Sequence, residues 1–247
     1  MWCKKCEHET NNEYCELCNS KTEPVIPTEV FWCKHCKTPV IVAVNEKQNC
    51  CCPLCGDDIE YLASDLRPVF PEERLLVEIL LDEPMQYHKS SVWANNNRYY
   101  FDGKSVAITS KHYKKYSPDY IKNKLEEYES DNDYSFFNEY INKFIYANKV
   151  RFNFIVDEAH TFIREEASHY PIESIVVSFS GGKDSTVTAD LSVKALSEPS
   201  LVHIFGNTTL EFPSTIEYAE RFRRNNPKAI FRIALNREQD FMSVWQE

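Results

Sequence analysis

Hydrophobic positions fall into three patterns along the chain. Val40-Ile41-Val42-Ala43-Val44 is a β-branched run bounded by polar residues, and it predicts a strand. From Glu73 to Leu81 the period lengthens, with Leu75, Leu76, Ile79 and Leu80 on one side of a short helix, and Arg67-Pro68-Val69-Phe70-Pro71 before it reads as a linker. Ser91-Val92-Trp93 and then Arg98 to Ile108 read as strands, joined at Asp102-Gly103, a hairpin signal. From Ser135 the period is helical. Phe136, Tyr140 and Phe144 form one i, i+4 row and Phe137, Ile141 and Ile145 another, and Phe152, Ile155, Ala159, Phe162 and Ile163 continue them as core stripes. His160 and His169 read as surface or capping residues, because no Cys or carboxylate stands at metal spacing from them.

The third pattern begins at Ile175. Ile175-Val176-Val177-Ser178-Phe179 is a short apolar run of the buried parallel type, followed directly by Ser180-Gly181-Gly182-Lys183-Asp184-Ser185. A helix with Val187, Leu191 and Ala195 on one face comes next, ended by Ser197-Glu198-Pro199. Strand, Gly-Gly turn and helix make an anion-binding arrangement. Two Gly remove Cβ atoms where backbone curls around phosphate oxygens, the first N–H groups of the helix point at them, and Lys183 with the Ser180 and Ser185 hydroxyls adds charge and donors. Downstream, Leu201 to Phe205 and Ala229 to Leu235 are further strands, Pro213 suits the first turn of a helix, and a last helix runs around Asp240 to Trp245. The spacing is not that of the long phosphate loop, GxxxxGK[ST].

Cysteine changes the picture of the amino-terminal part. All ten Cys lie between Cys3 and Cys55. Eight form four CxxC pairs, Cys3/Cys6, Cys15/Cys18, Cys33/Cys36 and Cys52/Cys55, which predicts two four-cysteine zinc sites in tandem ribbons. Disulfides, a redox CxxC and an iron–sulfur cluster are the competing uses of such thiols. Cys50 or Cys51 in place of Cys52, and His8 or His35 elsewhere, are alternative ligands. In Cys52-Pro53-Leu54-Cys55-Gly56 the Pro stiffens the knuckle and the Gly permits a left-handed turn. Fewer than ~70 residues bury little core, so the metals are expected to hold these ribbons together.

Composition then sets bounds. The chain has 247 residues with 43% hydrophobic and 13% aromatic, which excludes disorder and fibrous repeats, and only 5 Gly, two of them in the 181–182 turn. Lys+Arg 28 against Asp+Glu 38 gives a net charge of −10, so the molecule as a whole is no trap for nucleic acid. Tyr99, Tyr100, His112 and the basic run Lys111 to Lys115 read as a structural aromatic pair beside a solvated face. No stretch approaches the ~20 apolar residues of a spanning helix, no membrane association is expected, and a cytoplasmic location is.

Ser178 to Val187, with SGGKDS at its centre, resembles the pyrophosphate loop of the PP-loop ATP pyrophosphatases, the adenine nucleotide alpha hydrolase superfamily. The stretch Leu201 to Thr215 is similar to the phosphoadenosine phosphosulfate reductase branch, in which an acid-Thr-Gly turn precedes a Phe-Pro-x-Thr helix start. This chain has Asn207 in place of the acid and Thr209 in place of the Gly. The resemblance covers roughly residues 150 to 235, and related proteins carry amino-terminal zinc ribbons. It implies an α/β fold: a doubly wound parallel sheet with its PP-loop, incomplete at the carboxy terminus, preceded by small four-cysteine zinc ribbons. The expected domains are tandem ribbons over 1–65, a connecting α/β segment over 66–130 and a nucleotide domain over 131–247.

The resemblance further implies an adenylyl nucleotide, ATP or a sulfonucleotide, held by Ser180, Gly181, Gly182, Lys183, Asp184 and Ser185. Lys183 and Asp184 would be catalytic and the Phe205-Gly206 strand end would lie near the adenine. The first expectation is an enzyme of sulfonucleotide reduction or sulfur transfer. A second is an ATP pyrophosphatase that adenylates a nucleic acid or metabolite for sulfur insertion, with Mg2+ on the pyrophosphate and the ribbons presenting loops to nucleic acid. A third is a non-enzymatic sensor or adaptor. Family sheets have about five strands and place their redox Cys beyond this point, so the 247 residues are expected to be the amino-terminal portion of a longer enzyme.

Overall fold

The computed structural model describes residues 1–23, 26–236, 238 and 241–245. They form two compact units, 1–151 and 152–247.

In the first unit β1 (Trp2–Cys3) and β2 (His8–Glu9) make a minimal antiparallel hairpin, and Trp2 is buried against a bridge to Glu23. A second hairpin, β3 (Thr28–Cys33) and β4 (Thr38–Ala43), is extended by β5 (Glu60–Ala63) into a sheet of order β4-β3-β5. The alternation of β3 decides what it joins. Phe31 and Cys33 face Val40, Val42 and Cys52, whereas Trp32 points the other way into Trp93, Tyr100 and Tyr140.

Those aromatic partners belong to a four-stranded antiparallel sheet of β6 (Arg67–Pro68), β7 (Val92–Asn95), β8 (Arg98–Phe101) and β9 (Lys104–Ala107). The expected linker at Arg67 is therefore an edge strand, paired with Ala94 and Trp93; Pro68 is tolerated there because an edge position needs no second ladder bond. Val92, Ala94, Tyr99 and Phe101 face α1 (Pro71–Leu80), and Trp93 and Tyr100 face the second ribbon and α4 (Ser135–Ala147). Asp102 and Gly103 adopt φ of 46° and 84°, the turn that joins β8 to β9. A Cβ on Gly103 would stand 2.5 Å from the Trp32 Nε1, so only Gly lets this turn lie on the indole.

Two buried polar groups tie the unit together. Asn148 accepts the Ile41 N–H at 2.7 Å and donates to the Pro39 carbonyl at 3.0 Å, closing the free edge of β4. Glu78, fully buried, accepts the Met85 and Tyr87 N–H groups at 2.8 Å each, with Arg74 at 3.7 Å. Its carboxyl pKa is raised, chiefly by burial. Helices α2 (Ser110–Lys115) and α3 (Pro118–Glu127) bury no side chain, as the solvated-face reading of Lys111 to Lys115 expects, while Tyr99 and Tyr100 are core.

The chain passes from one unit to the other within α5 (Lys149–Ala167). The division at 151 falls later than the boundary expected at 130, because α4 packs on β4 and Trp93. The core stripes expected of α5 are not realised: Phe152, Ile155 and Phe162 are exposed and no α5 residue is buried. Periodicity says which residues share a face; it does not say that the face is covered.

The second unit is a parallel sheet of β10 (Val176–Phe179), β11 (Val202–Asn207) and β12 (Ile230–Leu235), in that order. Helix α6 (Lys183–Leu196) links the first pair and α7 (Pro213–Asn225) the second, and α8 (Phe241–Trp245) follows β12. Asp240, expected at the start of that last helix, and Glu247 lie outside the described residues. Val177, Phe179, Phe205, Ala189 of α6 and Ala219 of α7 share one core, so both helices cover the same sheet face. Val176 and Ile230 on the opposite face are exposed. Among the described residues the winding is thus one-sided. On α6 the buried residues are Ala189, Ser192 and Ala195; Val187, expected on the apolar face, is exposed.

Candidate nucleotide site and metal centres

The turn between β10 and α6 is shaped by its own side chains. Gly181 has φ 77°, and a Cβ there would meet Thr215 Cγ2 at 3.1 Å, so the first Gly supplies both a left-handed turn and a close approach to the start of α7. The Ser180 N–H donates to Ser185 Oγ at 3.2 Å, and Ser185 Oγ donates to the Gly182 carbonyl at 3.0 Å. Thr186 N–H makes the first intrahelical bond, to Gly182 O at 3.1 Å, so the N–H groups of Lys183, Asp184 and Ser185 lie in the unpaired first turn. They aim outward at the positive end of a 14-residue helix. Lys183 is exposed and has no ion-pair partner among the described residues, so its ammonium is available to an anion. Asp184 beside it is exposed as well.

The Asn207–Glu211 loop leaves the same carboxyl edge of the sheet. Thr209 N–H bonds Asn207 Oδ1 at 2.9 Å, and Thr209 itself has φ 72°, a conformation that Gly would adopt without cost. Glu211 accepts from Thr208 N–H at 3.0 Å and from its hydroxyl at 2.8 Å. Those bonds, the hydroxyl first, hold the Glu211 carboxyl below the usual range. Sequence reasoning missed Glu211 as an ionised carboxylate on this edge; the signal was its place three residues after Thr208 in a turn-rich loop. Phe205, expected near an adenine, is 1% exposed and fills the core beneath α6 and α7, so its ring is not offered to a ligand. Gly206 is exposed, with open space where a Cβ would stand.

Residues 174–242 match the family model described as the phosphoadenosine phosphosulfate reductase domain. This segment is phosphoadenosine phosphosulfate reductase-like. No curated protein and no solved structure matches the chain. The reductase-like segment contains the whole Ser180–Ser185 turn, both crossover helices and all three parallel strands.

The cysteines gather as the spacing predicts. Cys3, Cys6, Cys15 and Cys18 converge in one group and Cys33, Cys36, Cys52 and Cys55 in another, with ligand atoms within 4.8 Å of one another. Cys3 to Cys18 and Cys33 to Cys55 are each 3.6 Å between sulfurs. A disulfide needs about 2.05 Å, whereas a tetrahedral ion with about 2.3 Å bonds sets sulfurs nearly 4 Å apart, so the geometry fits zinc. Without an ion four thiols compete for protons: Cys6 is pushed up to about 12, first by Cys18, while Ser20 pulls Cys18 down to about 6. Only a cation lets all four ionise together.

The alternative ligands stand outside these sets. Cys51 is exposed, and the Cys50 thiol faces the Lys47 carbonyl at 3.3 Å. His35 Nδ1 is 2.8 Å from Asp57 and His8 Nε2 is 3.7 Å from Glu16, each pair beside a tetrad rather than within it. Around the first tetrad Glu7, Glu9, Glu13, Glu16 and Glu23 outnumber Lys4, Lys5 and Lys21, and Lys4 and Lys21 are paired to Glu23 and Glu13. That surface does not attract polynucleotide phosphates. No helix among the described residues is long and apolar enough to cross a membrane.

Proposed function

We propose that the reductase-like segment binds an adenylyl nucleotide by its phosphate or sulfate end, and that the protein is an enzyme of sulfonucleotide reduction or sulfur transfer. The observation that carries this is the Ser180–Ser185 turn: unpaired N–H groups, a positive helix end and the unpaired Lys183 converge within the matched residues. Lys183 neutralises charge on the transferred or leaving group, and Ser180 and Ser185 hold the turn open for its oxygens. Asp184 stands beside them to orient the attacking group or a cation. Gly206 at the end of β11 leaves room for the base.

A second reading is favoured by one fact. Within these 247 residues no Cys follows Cys55, and eight of the ten are committed to the tetrads. Reduction of a sulfonucleotide needs a thiolate nucleophile, and zinc-bound sulfurs serve it poorly. ATP cleavage between the α and β phosphates to adenylate an acceptor before sulfur insertion needs none, and Mg2+ would then ride on the pyrophosphate. Calorimetric titration with ATP, adenosine phosphosulfate and phosphoadenosine phosphosulfate tests nucleotide binding. Sulfite release supports the first reading and pyrophosphate release the second; saturation by none of the three nucleotides refutes both.

A further inference from the structure

A cavity of about 500 Å3 opens in the second unit away from the phosphate-binding turn. Its walls are Ala189 and Val193 of α6, Phe222 of α7, and Pro199 and Pro227 in the loops before β11 and β12; its floor is His203 on β11. These positions lie at the amino-terminal ends of the strands. At the other end the cavity is closed by Thr186, whose hydroxyl is 3.0 Å from the Tyr218 hydroxyl and bridges α6 to α7. The volume is within the range of small-molecule pockets.

His203 is what makes this more than a gap between helices. It is 1% exposed, on a sheet face whose neighbours Phe179, Phe205 and Phe231 are all apolar. Its Nδ1 lies 2.8 Å from the Leu201 carbonyl oxygen, which can only accept, so Nδ1 donates there and, in the neutral ring, Nε2 presents a lone pair. Nε2 has no partner among the described residues and borders the cavity. That nitrogen is not sealed from solvent, so a ligand's N–H or O–H would take the place of water on it. Phe222 lies 5.8 Å from the imidazole at 52°, and two prolines add flat apolar walls. Asp190 at the rim is held by Lys194 at 2.7 Å, while Lys228, which also lines the cavity, has no ion-pair partner among the described residues.

We propose that this cavity is a second ligand site, for a planar aromatic molecule that donates one ring N–H or hydroxyl hydrogen bond to His203 Nε2. It is independent of the nucleotide reading, since it shares none of the Ser180–Ser185 residues. The test is calorimetric titration of the full chain with indole and with 1-methylindole, which differs by the donor, together with the nitrogen-15 signal of the His203 ring. Indole should bind with a single site, shift the Nε2 signal, and be favoured over 1-methylindole by ~10-fold. His203→Phe should abolish that preference, and Val193→Phe, which fills the space, should abolish binding of both, with the nucleotide titration unchanged in either variant. The Val193→Phe arm stands if His203→Phe does not fold. Equal affinity for the two probes, binding that survives Val193→Phe, or no saturable indole binding would each overturn the proposal.

Discussion

Gly181 is the residue whose replacement reads the phosphate-binding turn most directly. An alanine there must hold φ near 77° and place its methyl 3.1 Å from Thr215 Cγ2 and 3.6 Å from the Thr215 carbonyl oxygen. The left-handed backbone costs roughly 1–2 kcal/mol for a residue with a Cβ. The methyl contact is tighter than an ordinary one by a few tenths of an ångström, and Thr215 stands in the first turn of α7, where its hydrogen-bonded backbone yields little. If the turn keeps its shape, stability of the second unit falls by about 1–2 kcal/mol; if it flattens to escape the strain, the N–H groups of Lys183 to Ser185 lose their common aim and ATP affinity falls at least ~10-fold. Urea denaturation followed in the second unit, together with calorimetric ATP titration, separates the two outcomes. Thr215→Ser removes the opposing methyl, so Gly181→Ala/Thr215→Ser should recover the steric share and leave the φ share. Gly206→Ala, with open space around its Cβ but at the place proposed for the base, should leave stability unchanged and weaken ATP binding. A Gly181→Ala protein with parental stability and parental ATP affinity would refute the reasoning.

Further outcomes follow from the same geometry. Lys183→Ala should weaken ATP or sulfonucleotide binding ~10-fold or more without moving the unfolding midpoint, since an exposed, unpaired Lys contributes little to stability; unchanged affinity by calorimetry removes it from the site. Purified protein should contain about two zinc ions by mass spectrometry under native conditions, and chelation should destroy the Trp32 environment of the first unit while ATP affinity persists; iron with visible absorbance, or no metal, contradicts the tetrads. Asn148→Ala should cost about 2 kcal/mol in urea, because it strands the Ile41 N–H and the Pro39 carbonyl. Glu73 is held below the usual carboxylate range, first by Arg67 and then by Tyr99. A depressed folded pKa gives stability that is present above the unfolded pKa and lost as pH falls through the folded one. Acid titration of the parent should therefore lose more stability below the usual carboxylate range than Glu73→Gln does, and parallel acid limbs would exclude the pair as a contributor.

Local chemistry was the legible part of the sequence. Each CxxC pair is closed by a knuckle of its own, so the spacing of Cys33/Cys36 and Cys52/Cys55 foretold the tetrad even though β3, β4 and β5 separate the halves. The Asp102-Gly103 hairpin and the Ser180–Ser185 turn were equally readable, since each is fixed by a φ that few residues adopt. What escaped was set by partners distant in sequence. Arg67-Pro68 looks like a linker because two residues carry no period, and it becomes a strand only through Ala94 and Trp93. Phe205 reads as a strand end because the apolar run stops there, whereas β11 continues to Asn207 and α6 and α7 both settle on the Phe205 face.

The zinc centres also mean something different once the fold is known. Two small ribbons read from cysteine spacing suggest detachable modules, held by metal and free to present loops to a partner. The second is not of that kind: Trp32 is shared with the core of Trp93, Tyr100 and Tyr140, the Gly103 turn rests on its indole, Lys37 pairs with Asp102 at 2.8 Å, and Asn148 seals its edge strand. A metal held by its tetrad would therefore support the four-stranded sheet as much as the ribbon. Gly103→Ala tests this directly, because the added methyl would fall 2.5 Å from the Trp32 Nε1, whereas Gly56→Ala in the zinc knuckle, at φ 80° with nothing within 4 Å, carries the backbone cost alone. Both should lose roughly 1–2 kcal/mol to the left-handed backbone, and Gly103→Ala a further 1–3 kcal/mol from displacing the indole. That excess should appear in urea as a loss from the sheet and the ribbon in one transition, followed by Trp fluorescence. Two separate transitions, or equal losses for the two variants, would show that the ribbon and the sheet fold independently after all.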